Sequence, residues 1–172
     1  VVVEDEPSAE LLRDLELEYE EIGADSKDSA LYVDYAGRNP DEVPSASAYE
    51  KTYLFLRMME DSLGRGNFDA FLRRYVEANA FKTMTTERFV RHLKSTVFAD
   101  DSTRYAAMRI DEWIYGAGIP KNAPVVESKR FEEVDAQVDA FARGTSARNL
   151  RTQGWTTVEW QRFLDNLPAP LP

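Results

Sequence analysis

Cysteine is absent from the chain, which excludes a disulfide framework, a thiolate nucleophile and a Cys-based zinc site. Histidine occurs once, at His92, so an H-E-x-x-H metal motif cannot be written within this stretch, and nothing marks a Ser-His-Asp triad. No apolar run approaches the ~20 residues that span a bilayer. Glycine and proline number eight each, too few for a fibrous or low-complexity protein. Positive charge is also short: 21 Lys and Arg against 31 Asp and Glu leave a net charge of −10. A phosphate backbone is bound largely by releasing its counterions onto Lys and Arg, so nucleic acid is not an expected partner. An anionic membrane surface is disfavoured for the same reason. The start, Val1-Val2-Val3-Glu4-Asp5-Glu6, lacks the basic segment of a signal peptide. Without an initiator Met, the chain reads as a mature or excised piece.

What remains is a helix-forming chain. Its 172 residues, 43% apolar and 30% charged, suit one domain or one and a fraction with a genuine core. Leu11, Leu12, Leu15, Tyr19 and Ile22 form a helical stripe, with Ser8 as its expected N-cap and Gly23 as its stop. Glu16, Glu18, Glu20 and Glu21 read as the solvated outer face. Residues 24–46 are rich in turn formers, and Leu31, Val33 and Tyr35 alternate there as one short extended segment. Ser47-Ala48-Tyr49-Glu50 fits a capping box that opens a second helix, ending at Leu63 before Gly64. Its middle, Tyr53 to Met59, is apolar nearly all round, which predicts burial in a larger assembly. Further helices are expected from Asn67, from near Thr85, over a short stretch ending at Trp113-Ile114-Tyr115, and through Phe131, Val134, Val138 and Phe141. A last one opens with a capping box at Thr156 and Glu159 and a hydrophobic staple of Trp155 on Trp160. Prolines 168, 170 and 172 follow it. The expectation is six or seven helices, essentially no sheet, no repeat, and a linker over Gly116–Val126.

Chemistry is sparse. His92, between Arg91 and Lys94, reads as a partly exposed surface residue. Paired carboxylates on acidic helices are ordinarily solvent-facing. Gly64-Arg65-Gly66 lacks the strand and third glycine of a dinucleotide loop and reads as a turn between helices. Met58, Met59 and Trp113 read as core. Tyr49 stands out by place, in the first turn of a helix that follows an irregular loop, where a phenol can project toward a cleft.

Asn39-Pro40-Asp41-Glu42, Ser45 to Ala48 and Tyr49-Glu50-Lys51 together resemble the Asp-Pro-Asp … Ser-Ser-x-Pro-Tyr-Glu-Lys-Gly segment of the leukotriene hydrolase/aminopeptidase zinc metallopeptidases, the M1 family. The likeness continues in register through Phe71-Leu72-Arg73-Arg74-Tyr75-Val76-Glu77, Phe81 to Thr86, Trp113 to Pro120, Gly154-Trp155-Thr156 and Phe163 to Pro168. Two positions depart from it: Thr52 replaces the glycine after Tyr-Glu-Lys, and Ala48 replaces the proline before it.

The resemblance implies an all-α piece: residues 1–120 as the helical lobe of a thermolysin-like catalytic domain, 121–127 as a linker, and 128–172 as the beginning of a C-terminal helical domain. It implies that Tyr49 hydrogen-bonds the oxyanion formed when zinc-bound water attacks a peptide carbonyl. It also implies that Asp41 lines the substrate pocket, although an Asn-Pro-Asp turn explains Asp41 equally well. Zinc is implied for the full-length enzyme, with no metal ligand expected in this stretch. The implied partners are peptide substrates and the rest of the peptidase domain, and the isolated piece is expected to self-associate through open apolar helix faces. The competing reading is a non-catalytic helical interaction module that keeps the aminopeptidase shape.

Overall fold

The computed structural model describes residues 2–4, 6–23, 25–39, 41, 47–99 and 101–170, with the side chains of 2–10, 126 and 127 outside that description. Pro40, Glu42 and Ser45 of the motif, the Ser8 side chain and Pro172 therefore lie outside the described residues. The fold is all-α: eight α-helices are described, with one two-stranded ribbon of β1 (Val2–Glu4) and β2 (Val125–Glu127). Three residues per strand are too few to show an alternating pattern, which is why the sequence hides the ribbon. The chain divides into two compact units, Leu11–Val125 and Val2–Glu10 with Val126–Pro172.

Helix α1 (Glu6–Ile22), which belongs to the first unit from Leu11 onward, turns Leu15 and Tyr19 into the core and ends at Gly23, whose φ of 84° suits a residue without a side chain. The helix starts earlier than the expected Ser8 cap, with Pro7 in its first turn, where no intrahelical amide bond is lost. Glu16, Glu20 and Glu21 are solvated as expected, but Glu18 is half-buried.

Helix α2 (Thr52–Leu63) buries Leu54, Phe55, Met58 and Met59 and closes on Gly64, whose amide donates to the Glu60 carbonyl at 2.8 Å. Its far side carries an Arg57–Glu60 ion pair at 2.8 Å. Within the apolar stretch Tyr53 to Met59, these four side chains are thus buried inside the unit, while Tyr53 and Leu56 stay half-buried.

Helix α3 (Arg65–Asn79) begins two residues before the expected Asn67, whose side-chain amide instead donates to the Leu63 carbonyl at 2.9 Å. Helix α4 (Thr86–Thr96) is capped by Thr85, which accepts from the Arg88 amide at 3.3 Å. Helix α5 (Ser102–Ala107) has one buried side chain, Tyr105, and so shows no stripe in the sequence. A left-handed Arg109, φ 54°, separates it from α6 (Ile110–Tyr115). Trp113 of α6 is buried against Phe55 at 5.8 Å between ring centroids and donates to Asn122 at 3.1 Å.

In the second unit, α7 (Lys129–Ala142) and α8 (Thr157–Asp165) enclose Val134, Val138 and Phe163, flanked by Phe141, Leu150, Trp155 and Leu167. The expected capping box of α8 is present: the Thr156 amide donates to Glu159 at 2.6 Å, and its hydroxyl donates to the same carboxylate. Trp155 meets Trp160 edge-on at 5.0 Å, the staple. Arg162 forks onto Asp135 at 2.6 and 2.8 Å, joining α8 to α7.

Candidate functional site

Tyr49 lies in a π-helical turn, Ser47–Lys51, that runs directly into α2. Such wide turns recur at functional sites because they redirect side chains that a regular helix would stack. The expected capping box does not form here. The Ser47 amide donates to Glu18 of α1 at 3.0 Å, and the Ser47 hydroxyl approaches Glu18 and the Tyr19 hydroxyl, each at 3.4 Å. A carboxylate 29 residues earlier in the chain takes the role that Glu50 was expected to fill.

The other end of the turn is held as well. Lys51 is 0% exposed, and its ammonium donates to the carbonyls of Ser29 at 2.9 Å and Gly116 at 2.8 Å. The Ser29 carbonyl also accepts from Tyr19 at 3.0 Å. The Ser29 hydroxyl donates to Ser26 at 2.6 Å and accepts the Gly118 amide at 2.8 Å. Ser47 and Lys51 thus occupy the buried side of the turn. Tyr49, midway between them, is carried to the opposite side and is 73% exposed.

Electrostatics follow from this burial. The Lys51 ammonium is pulled down to about 8 by desolvation, with Glu112 opposing. Tyr19 is raised by burial, against a hydrogen bond from Ser47, with Glu18 adding to the rise. Glu50 is raised by burial, and the nearby Asp14 and Glu18 charges add to that, opposed by a backbone hydrogen bond. Its Oε2 is out of solvent with no hydrogen-bond partner among the described residues.

Asp41 stands on the exposed loop before the turn, its amide donating to the Asn39 side chain at 3.2 Å. Among the described residues no hydrogen bond joins it to Tyr49. Thr52, the departure from the family glycine, is half-buried at the start of α2 and lines an apolar groove with Phe55, Phe71, Tyr75 and Phe89.

The family named by the motif uses zinc in its full-length enzymes. Among the described residues no three His, Asp or Glu side chains gather so as to hold a metal ion. His92 is half-buried, in keeping with the partly exposed residue expected; its ring packs against Phe71 at 6.2 Å and Tyr75 at 5.5 Å, with Nε2 out of solvent. These residues do not make a zinc site.

Sequence reasoning missed Glu18, Ser29 and Lys51 as parts of the site. For Lys51 a signal existed: with Leu54, Phe55, Met58 and Met59 it occupies the first position of an i, i+3, i+4, i+7, i+8 stripe, where an apolar residue is expected. Glu18 carries no local signal, since Ser47 lies 29 residues on, and the bonds of Ser29 to Tyr19, Lys51 and Gly118 span 10, 22 and 89 residues.

The family described as "Peptidase family M1 domain" matches residues 8–113. Leucine aminopeptidase 2 of Ajellomyces capsulatus is 31% identical over 104 residues, covering 59% of this chain and 16% of the relative. Leucine aminopeptidase 2 of Pyricularia oryzae is 26% identical over 158 residues, 89% of this chain and 26% of the relative. A leukotriene A-4 hydrolase homolog of Botryotinia fuckeliana is 32% identical over 101 residues, 57% of this chain and 16% of the relative. The matched stretch is at most about a quarter of the length of these relatives. With the family match spanning more than half of its residues, the chain belongs to peptidase family M1, whose members are metallopeptidases, and represents part of such a protein.

Proposed function

We propose that the protein containing this chain is a zinc-dependent aminopeptidase that removes N-terminal residues from peptides, and that Tyr49 supplies its oxyanion-stabilising hydroxyl. The zinc ligands come from outside this stretch. Residues 1–120 form the helical lobe of the catalytic domain, 121–127 a linker, and 128–172 the start of a C-terminal helical domain. Asp41 borders the substrate pocket.

One observation carries the reading: an exposed phenol rides on a turn whose two ends are buried and hydrogen-bonded. Charge accumulates on the scissile carbonyl oxygen as water adds to it. A phenolic O–H held toward that oxygen strengthens its hydrogen bond as the charge grows, so it stabilises the transition state more than the bound substrate. Fixing the turn in advance removes the reorganisation that a mobile tyrosine would require at the moment of reaction. Support also comes from the family match and from the aminopeptidase names of the relatives.

Kinetics of Tyr49→Phe in the full-length protein test the reading. Loss of one oxyanion donor lowers kcat by about 10²–10³ with KM nearly unchanged. An unaltered kcat removes the catalytic role and leaves the non-catalytic helical module as the better description.

A further inference from the structure

We propose that Lys51 is the positioning residue for Tyr49: its ammonium locks the C-terminal side of the tyrosine's turn to the Ser29 loop and the end of α6, and so sets the direction of the phenol. The inference rests on the reading of Tyr49 given above.

The position is costly for a lysine. It heads the apolar stripe of α2, where Leu or Met would be buried without loss of solvation, and yet the side chain is 0% exposed. The return is geometric. The two carbonyls it binds lie 22 and 65 residues away in sequence, so a single group joins three chain segments. Four bonds on the donor arm and its neighbours close a mesh: Tyr19 onto the Ser29 carbonyl, Gly118 onto the Ser29 hydroxyl, and Lys51 onto Ser29 and Gly116. Glu18 holds the opposite end of the turn at Ser47. Tyr49 sits two residues from Lys51, so releasing the ammonium frees one of the two anchors of the phenol and leaves the other in place. Burial disfavours the ammonium form of Lys51 and Glu112 of α6 partly offsets it; the group still carries its proton at neutral pH and donates to both carbonyls.

The test is a double-mutant cycle in the full-length protein, with an aminoacyl-anilide as the probe substrate. Lys51→Met is expected to lower kcat by about 10- to 100-fold, the scale of a misplaced catalytic group, with KM within about two-fold. Combined with Tyr49→Phe, it is expected to add nothing beyond the loss caused by Tyr49→Phe alone, because it acts through that hydroxyl. If the two losses multiply, or if Lys51→Met leaves kcat intact while Tyr49→Phe lowers it, Lys51 is not a positioning residue and the inference falls while the reading of Tyr49 stands. If Tyr49→Phe itself leaves kcat intact, the reading beneath fails and carries the inference with it.

Should Lys51→Met not fold by circular dichroism, Ser29→Ala is the milder variant. It keeps the Ser29 carbonyl but removes the hydroxyl that ties in Gly118. A loss of about two- to five-fold in kcat is expected, and none once Tyr49 is already replaced. The same loss in both backgrounds would overturn the proposal.

Discussion

Burying the Lys51 ammonium has a consequence for stability that can be read against pH. The perturbation is Lys51→Met, compared with the unmodified chain at pH 7 and pH 9.5. In the folded chain burial lowers the group from its ordinary 10.5 to about 8, with Glu112 opposing. A difference of that size corresponds to about 3 kcal/mol set against folding while the group is charged in both states. Below pH 8 the folded and unfolded chains both hold the proton, so the cost is fully present at neutral pH. Between 8 and 10.5 the unfolded chain keeps a proton that the folded chain has released, and stability therefore rises with pH, by about 1.4 kcal/mol per pH unit at its steepest. Between pH 7 and 9.5 the gain is about 2 kcal/mol. Tyr19, Tyr105 and Tyr115, each raised chiefly by burial, act in the opposite sense above their ordinary value of 10.0, which is why the comparison stops at 9.5. Urea unfolding of both proteins at both pH values supplies the assay, and taking the difference between them cancels groups common to the two. The unmodified chain should gain about 2 kcal/mol on the variant as the pH rises. An unchanged difference would show that the Lys51 charge is not desolvated, and the reasoning about its burial would be wrong.

Other outcomes follow from packing and capping. Leu54, 1% exposed on α2, should cost about 2–5 kcal/mol when replaced by Ala, measured by denaturant unfolding. Burial acts to raise the Glu159 carboxyl, but its bonds to Thr156 and its pairing with Arg130 outweigh burial and hold it below its ordinary 4.5. A carboxylate held low stabilises the fold above its unfolded pKa and loses that contribution as the pH falls. Glu159→Gln should accordingly cost about 1–3 kcal/mol at pH 7, with the cost shrinking once the pH drops below the ordinary value.

The elements that the sequence reveals are those whose reasons are local. The Leu15–Tyr19 stripe, the helix start near Thr85 and the Thr156–Glu159 box depend on neighbours within a few residues, and all appear as read. Ser47 and Glu50 show the same local signature, but there a tertiary partner wins: Glu18 reaches the Ser47 amide and leaves Glu50 with a half-buried carboxylate. For the same reason Glu18 was legible only as one more acidic residue on an outer face. Helix α5 and the β1–β2 ribbon are too short for any period to emerge. Tyr49 stands out in the sequence through the family motif, whereas the mesh beneath it spans residues from Tyr19 to Gly118 and leaves no contiguous pattern to read.

The claim that matters most concerns where the Tyr49 hydroxyl spends its hydrogen bond. Affinity for a phosphinic dipeptide, whose tetrahedral anionic oxygens imitate the developing charge, separates transition-state recognition from substrate recognition. In the full-length protein Tyr49→Phe should weaken binding of that analogue by about 100-fold or more, while the affinity for a free amino-acid product stays within about two-fold. Equal weakening of both ligands, or of neither, would contradict the assignment of Tyr49 as the oxyanion donor.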